Sequence, residues 1–137
     1  MLKFHTIGQI EKNYAFENAV ASADTFNGAF GTVTSGKFSV GADASKAIMN
    51  LEVGDEANLG TYPIKKGTQV RVLDLEAFNG KTIEVYGDEL PDGVVVGDKL
   101  KSDTTGALVT GASAAPYLKV TKVIANTKGV EATIVTA

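Results

Sequence analysis

The stretch Val70–Leu100, VRVLDLEAFNGKTIEVYGDELPDGVVVGDKL, decides the fold class. Val70 and Val72 share one face of a period-two run, and Arg71, Leu73 and Leu75 share the other. Beyond Asn79-Gly80, Ile83 and Val85 alternate with Thr82, Glu84 and Tyr86. An Asn-Gly pair between two alternating runs predicts a β-hairpin, because both residues tolerate positive φ. The apolar run Val94–Val96 follows the Pro91-Asp92-Gly93 turn and stops at Gly97-Asp98, which also reads as β structure.

Outward from this stretch the pattern persists. Toward the C-terminus, Leu100–Val109 reads as two short strands about Ser102–Gly106. Pro116 then opens a closing hairpin with its turn at Asn126–Gly129. Leu118, Val120 and Ile124 form one face of its first strand, and Val130, Ala132 and Ile134 the matching face of its second. Toward the N-terminus, Thr25–Val53 sets Phe26, Phe30, Phe38 and Val40 between glycines, the spacing of short strands and tight turns. Ala44–Leu51 is read as a strand. Gly54–Gly67 is a polar connection broken by Pro63, long enough to carry contacts. Met1–Asp24 sustains neither period, and reads as an extended arm with separated apolar anchors. The expected architecture is therefore all-β: a compact antiparallel barrel or sandwich of short strands over 25–137, with an N-terminal arm over 1–24.

At 137 residues one domain is expected, burying roughly two-thirds of its unfolded surface. There is no cysteine, which removes disulfides, thiolate metal sites and cysteine nucleophiles. Net charge is −3, and twelve of the 13 basic residues are scattered lysines, with Arg71 the only arginine. That composition argues against nucleic acid as a partner. The start lacks a signal peptide, and no run approaches the length of a membrane span, so a soluble protein made in the cytoplasm is expected.

No constellation reads as catalytic. His5 stands alone near the start, without an orienting partner or nucleophile in view. Asp88, Glu89, Asp92 and Asp98 crowd a turn but lack EF-hand spacing, and acidic turn residues ordinarily serve backbone hydrogen bonds. There is no GxGxxG, GxxxxGK[ST] or GxSxG motif. Tyr14, Tyr62, Tyr86 and Tyr117 read as core and interface residues. The chain is read as a non-enzyme, with no cofactor and no metal.

The runs GTQVRVLDLEAFNGKTIEV, LPDGVVVGDKLKSDTTGALV and YLKVTKVIANTKGVEATIVTA resemble the capsid decoration (head-stabilising, or cement) proteins of tailed bacteriophages. The shared features are the arm, the glycine-rich β body, the G-x-x-V-R-V-x-D-L strand at Gly67–Leu75, the V-G-D-K-L…G-x-L-V unit at Val96–Val109 and the closing hairpin at Tyr117–Val135. The resemblance implies a structural role in the virion, on the capsid exterior. The partners it implies are the major capsid protein and copies of the chain itself. Phe4, Ile7, Ile10, Tyr14, Phe16 and Tyr62 are the expected capsid or subunit contacts. Removing residues 1–16 is expected to leave a folded body that no longer coats capsids. Two other roles fit the same β body: another virion part such as a tail tube or head fibre, and a carbohydrate-binding or adhesin module using Tyr62, Tyr86 or the loops at 54–67 and 102–106.

Overall fold

The computed structural model describes residues 2–4, 16–49, 63–87, 89–124 and 128–136, and they are nearly all β. One layer is a six-stranded antiparallel sheet. It contains β1 (Leu2–Phe4), β9 (Thr82–Tyr86), β10 (Lys99–Ser102), β11 (Leu108–Thr110), β12 (Tyr117–Ile124) and β13 (Gly129–Val135), in the order β1-β9-β13-β12-β10-β11. The other is a closed barrel of β2 (Phe16–Ala21), β4 (Phe30–Thr34), β5 (Lys37–Val40), β6 (Lys46–Ile48) and β8 (Gln69–Asp74). A two-stranded ribbon, β3 (Thr25–Phe26) with β7 (Pro63–Ile64), flanks the barrel.

Strand β8 joins the two layers because its faces are apolar for different reasons. Val70 and Val72 point into the barrel with Ala19, Ala21, Phe38 and Ile48. Leu73, on the other face, enters the core between barrel and sheet, with Phe30, Ile83, Val85, Leu100, Leu118 and Ile134. Burial on both faces explains why Val72 and Leu73, adjacent and pointing opposite ways, are both apolar and fully buried.

The hairpin expected across Asn79-Gly80 does not form. Four residues after β8, Leu75–Phe78, wind into a 3-10 turn whose N-terminal amide, that of Glu76, donates to Asp74 Oδ1 at 3.0 Å. Leu75 and Phe78, three residues apart, both go into the core. Asn79 (φ −52, ψ 132) and Gly80 (φ 82) are then the central pair of a type II turn closed by the Lys81 amide on the Phe78 carbonyl at 3.0 Å. Type II geometry splays the flanking segments instead of pairing them. The chain therefore crosses from barrel to sheet, and β8 and β9 end in different layers.

The segment read as an arm supplies two paired strands. Leu2–Phe4 pairs with Ile83–Val85 at the sheet edge, with Leu2 in the core. Phe16–Ala21 closes the barrel, antiparallel to β8 and parallel to β5. Its alternation is weak because the buried positions are Ala19 and Ala21, small enough for the barrel interior, while Val20 is 40% exposed. Val94–Val96, read as β structure, is a turn.

Other expectations hold. Lys46–Ile48 is a strand within the predicted Ala44–Leu51. The β10–β11 pair forms about Ser102–Gly106. The closing hairpin forms with Leu118 and Val120 inward against Val130, Ala132 and Ile134, but a register shift between Val120 and Lys122 re-phases its first strand, so Val123, opposite Val130, takes the phase expected of Ile124, which pairs with Gly129 instead.

Polar contacts also fasten the layers. Ser102, 2% exposed, donates from Oγ to the Gly41 carbonyl at 2.8 Å and accepts the Ala44 amide at 2.9 Å. The Phe30 amide donates to the Gly106 carbonyl at 2.9 Å. At the chain's end, the Thr136 amide donates to Asn79 Oδ1 at 3.0 Å, tying β13 to the crossover.

Candidate contact surface

Of the six expected contact residues, only Phe16 has a described side chain. It is half-buried, with its ring centroid 5.9 Å from that of Phe78 and the Arg71 guanidinium 3.9 Å above it. This ring is engaged inside the molecule. The Phe4 backbone pairs with Ile83 in the sheet. Ile7, Ile10, Tyr14 and Tyr62 lie outside the described residues, as does His5. Removing residues 1–16 would strip an edge strand, Leu2 from the core and the Phe16 ring, so it would disturb folding and contact together.

The surface that stands out is elsewhere, in the loop from Gly87 to Asp98. Leu90 anchors it in the core, and half-buried Val94 packs against the same cluster. The Gly87 amide donates to the Lys128 carbonyl at 2.9 Å, and the Leu108 amide to the Glu89 carbonyl at 2.8 Å. At its far end, Asp98 Oδ2 accepts the Val95 amide at 3.0 Å, while the Asp98 amide donates to the Val95 carbonyl at 3.1 Å. The loop is then sewn to β12: the Gly97 amide donates to the Val120 carbonyl at 2.8 Å, and the Val120 amide to the Asp98 carbonyl at 2.9 Å. Gly97 makes this approach at φ 97, a conformation a side chain would strain.

A turn pinned in this way forces two apolar side chains into solvent. Val95 is 58% exposed and Val96 63%. Val123 on β12 is 46% exposed. It lines, with Val94, Leu90 and Val130, an open hollow of about 200 Å³. On the rim Lys128 Nζ lies 3.3 Å from Asp92 Oδ1, with Asp92 fully in water, so this pair contributes little. The sequence signal was present in GVVVGD, three valines between glycines, a run that reads equally as a buried strand.

Of the four clustered carboxylates, Asp98 serves the turn, Asp92 the rim pair, Glu89 is buried, and Asp88 lies outside the described residues. Among the described residues no group of three or more His, Asp or Glu is placed to hold a metal. Lys46, on the barrel wall, has a displaced titration. The Glu17 carboxylate, 2.5 Å from its Nζ, raises its pKa above the ordinary 10.5, with smaller contributions from Asp74 and Glu76 against the opposing effect of burial. Tyr86 is buried and donates its hydroxyl to Glu84, and half-buried Tyr117 lies beneath Lys99.

The fold and this surface define a class: a two-layer β scaffold that presents an apolar loop held by its own backbone. No protein-family model, no curated protein and no solved structure gives a significant match to the chain.

Proposed function

We propose that the protein is a structural component of a tailed-phage virion that binds the outer capsid surface and stabilises contacts between major capsid subunits. It would be made in the host cytoplasm and reside on the capsid exterior, meeting the major capsid protein and neighbouring copies of itself. The observation that carries the reading is the pinned valine loop. Two adjacent valines more than half exposed, fixed by backbone hydrogen bonds at both ends, form a contact surface that loses little conformational entropy on docking. Burial of such side chains supplies affinity without any polar chemistry. Repetition over a shell turns a modest affinity per copy into a large gain for the assembly. The sequence pattern of decoration proteins supports the choice of partner.

The test is co-sedimentation of the purified protein with undecorated capsids. Saturable recovery in the capsid pellet is expected. Protein that stays in the supernatant at all capsid concentrations would refute the proposal.

A further inference from the structure

The six-stranded sheet turns one face to the barrel and the other to solvent, and the solvent face carries a cluster of lysines on β10 and β12. Lys99 and Lys119 are direct cross-strand partners, so their side chains leave the same face. Lys101 follows two residues along β10 and shares it. Lys119 is opposite Thr133 and Lys122 opposite Glu131, two residues apart on β13, so Lys122 joins the same face beyond the register shift. Lys99, Lys119 and Lys122 are exposed, and Lys101 is half-buried.

Like charges directly opposite in a ladder work against the sheet. Glu131, opposite Lys122 and itself opposite Glu84, sets carboxylates on the β13–β9 side of this face, so the lysine charge is answered there and only in part over β10 and the start of β12. Lys101 meets Asp43 at 3.4 Å, and the Lys99 ammonium sits 5.0 Å from the Tyr117 ring centroid. Neither Lys119 nor Lys122 makes an ion pair among the described residues. The chain as a whole is acidic, so the cluster is local and contrary to the net charge.

Around the lysines the face mixes apolar and polar residues: Val109 stands opposite Lys101, Val135 opposite Tyr117 and Thr133 opposite Lys119. Lys99 and Lys101 repeat at about 6.6 Å, the two-residue repeat of any extended chain. An extended polypeptide with a carboxylate at every second position, its intervening side chains turned away from the sheet, would match both the charge and the spacing. Nucleic acid fits less well, since the patch lacks the planar arginine fork that grips phosphate, and the sole arginine is occupied with Phe16.

We propose that the solvent face of β10 and β12 is a docking surface for an acidic, extended stretch of polypeptide, recognised by Lys99, Lys119 and Lys122. This surface lies across the sheet from Val123 and stands independently of the partner assigned to the valine loop. Fluorescence anisotropy tests it without any capsid. The probes are a dye-labelled peptide of alternating Glu and Val, the same peptide with Gln for Glu, and a single-stranded DNA oligonucleotide. The Glu peptide should bind and be released by salt, and the Gln peptide should not bind. K119E/K122E should lose at least about tenfold in affinity, and a control with the same net charge, K37E/K66E on the barrel side, should bind within about twofold of the wild type. Circular dichroism on both variants establishes that they are folded. No binding of the Glu peptide, equal loss in both variants, or tighter binding of DNA than of the Glu peptide would overturn the proposal.

Discussion

Replacing Gly31 by alanine puts a methyl group where the barrel has no room for one. Gly31 lies in β4 opposite Val40 of β5. A Cβ there would stand 2.1 Å from the Ser39 carbonyl oxygen and 2.8 Å from Cζ of Phe38. Carbon–oxygen contacts are comfortable at roughly 3.3–3.6 Å, so the two strands would have to part by about 1 Å or more. The Ser39 oxygen is backbone, and the Phe38 ring is 1% exposed, so neither can move aside alone. Overpacking of this kind costs about 1–3 kcal/mol. Loosening two neighbouring ladder hydrogen bonds, among them the one from the Gly41 amide to the Phe30 carbonyl at 3.1 Å, adds about 0.5–1.5 kcal/mol each. The sum, about 2–6 kcal/mol, is a large fraction of the roughly 5–15 kcal/mol that holds a domain together. Gly41→Ala is the matched control, since a Cβ there meets nothing within 4 Å and the backbone is not left-handed. It should be neutral or slightly stabilising. The chain has no tryptophan, so urea unfolding followed by far-UV circular dichroism is the suitable assay. A G31A protein within about 0.5 kcal/mol of the wild type, or a G41A protein equally damaged, would refute the packing of β4 against β5.

Two further substitutions probe the layer junction and the barrel wall. Ser102→Ala strands the Ala44 amide and the Gly41 carbonyl in the interior, so it should cost about 2 kcal/mol in urea unfolding, and a loss below about 0.5 kcal/mol would contradict the hydrogen-bonded join. Lys46→Met removes a partly exposed ion pair and should cost no more than about 1 kcal/mol at neutral pH. Because Glu17 raises the Lys46 pKa above 10.5, that contribution is complete below the ordinary lysine value and fades as pH rises through the folded-state value. The gap between wild type and K46M should therefore be constant at neutral pH and close in strongly alkaline buffer; a gap that widened there would refute the assignment.

The sequence showed most where turn chemistry and alternation agreed. In the closing hairpin, glycine and asparagine sit between two runs of period two, and the observed register follows them except where the shift between Val120 and Lys122 re-phases the first strand. It showed least where a local pattern had two outcomes. Asn79-Gly80 suits a hairpin and a type II turn alike, and the deciding feature lay upstream: Asp74 able to cap, then Leu75 and Phe78 three apart. The strand Phe16–Ala21 was hidden because a narrow barrel interior selects alanine, reversing the usual contrast between large buried and small exposed residues. For the contact surface, GVVVGD gave the residues but not their exposure. Exposure follows from Asp98 closing the turn and Val120 fixing it to β12, contacts 3 and roughly 25 residues away that no local pattern encodes.

The most direct measurement compares wild type and V95D/V96D in a capsid co-sedimentation titration, with circular dichroism confirming that the variant is folded. Both side chains already face water, so the variant should keep its stability. Burying the exposed parts of two valines is worth about 1–2 kcal/mol each, so capsid binding should weaken by roughly thirtyfold or more. A folded V95D/V96D protein that coats capsids as tightly as the wild type would contradict the claim that this loop is the contact.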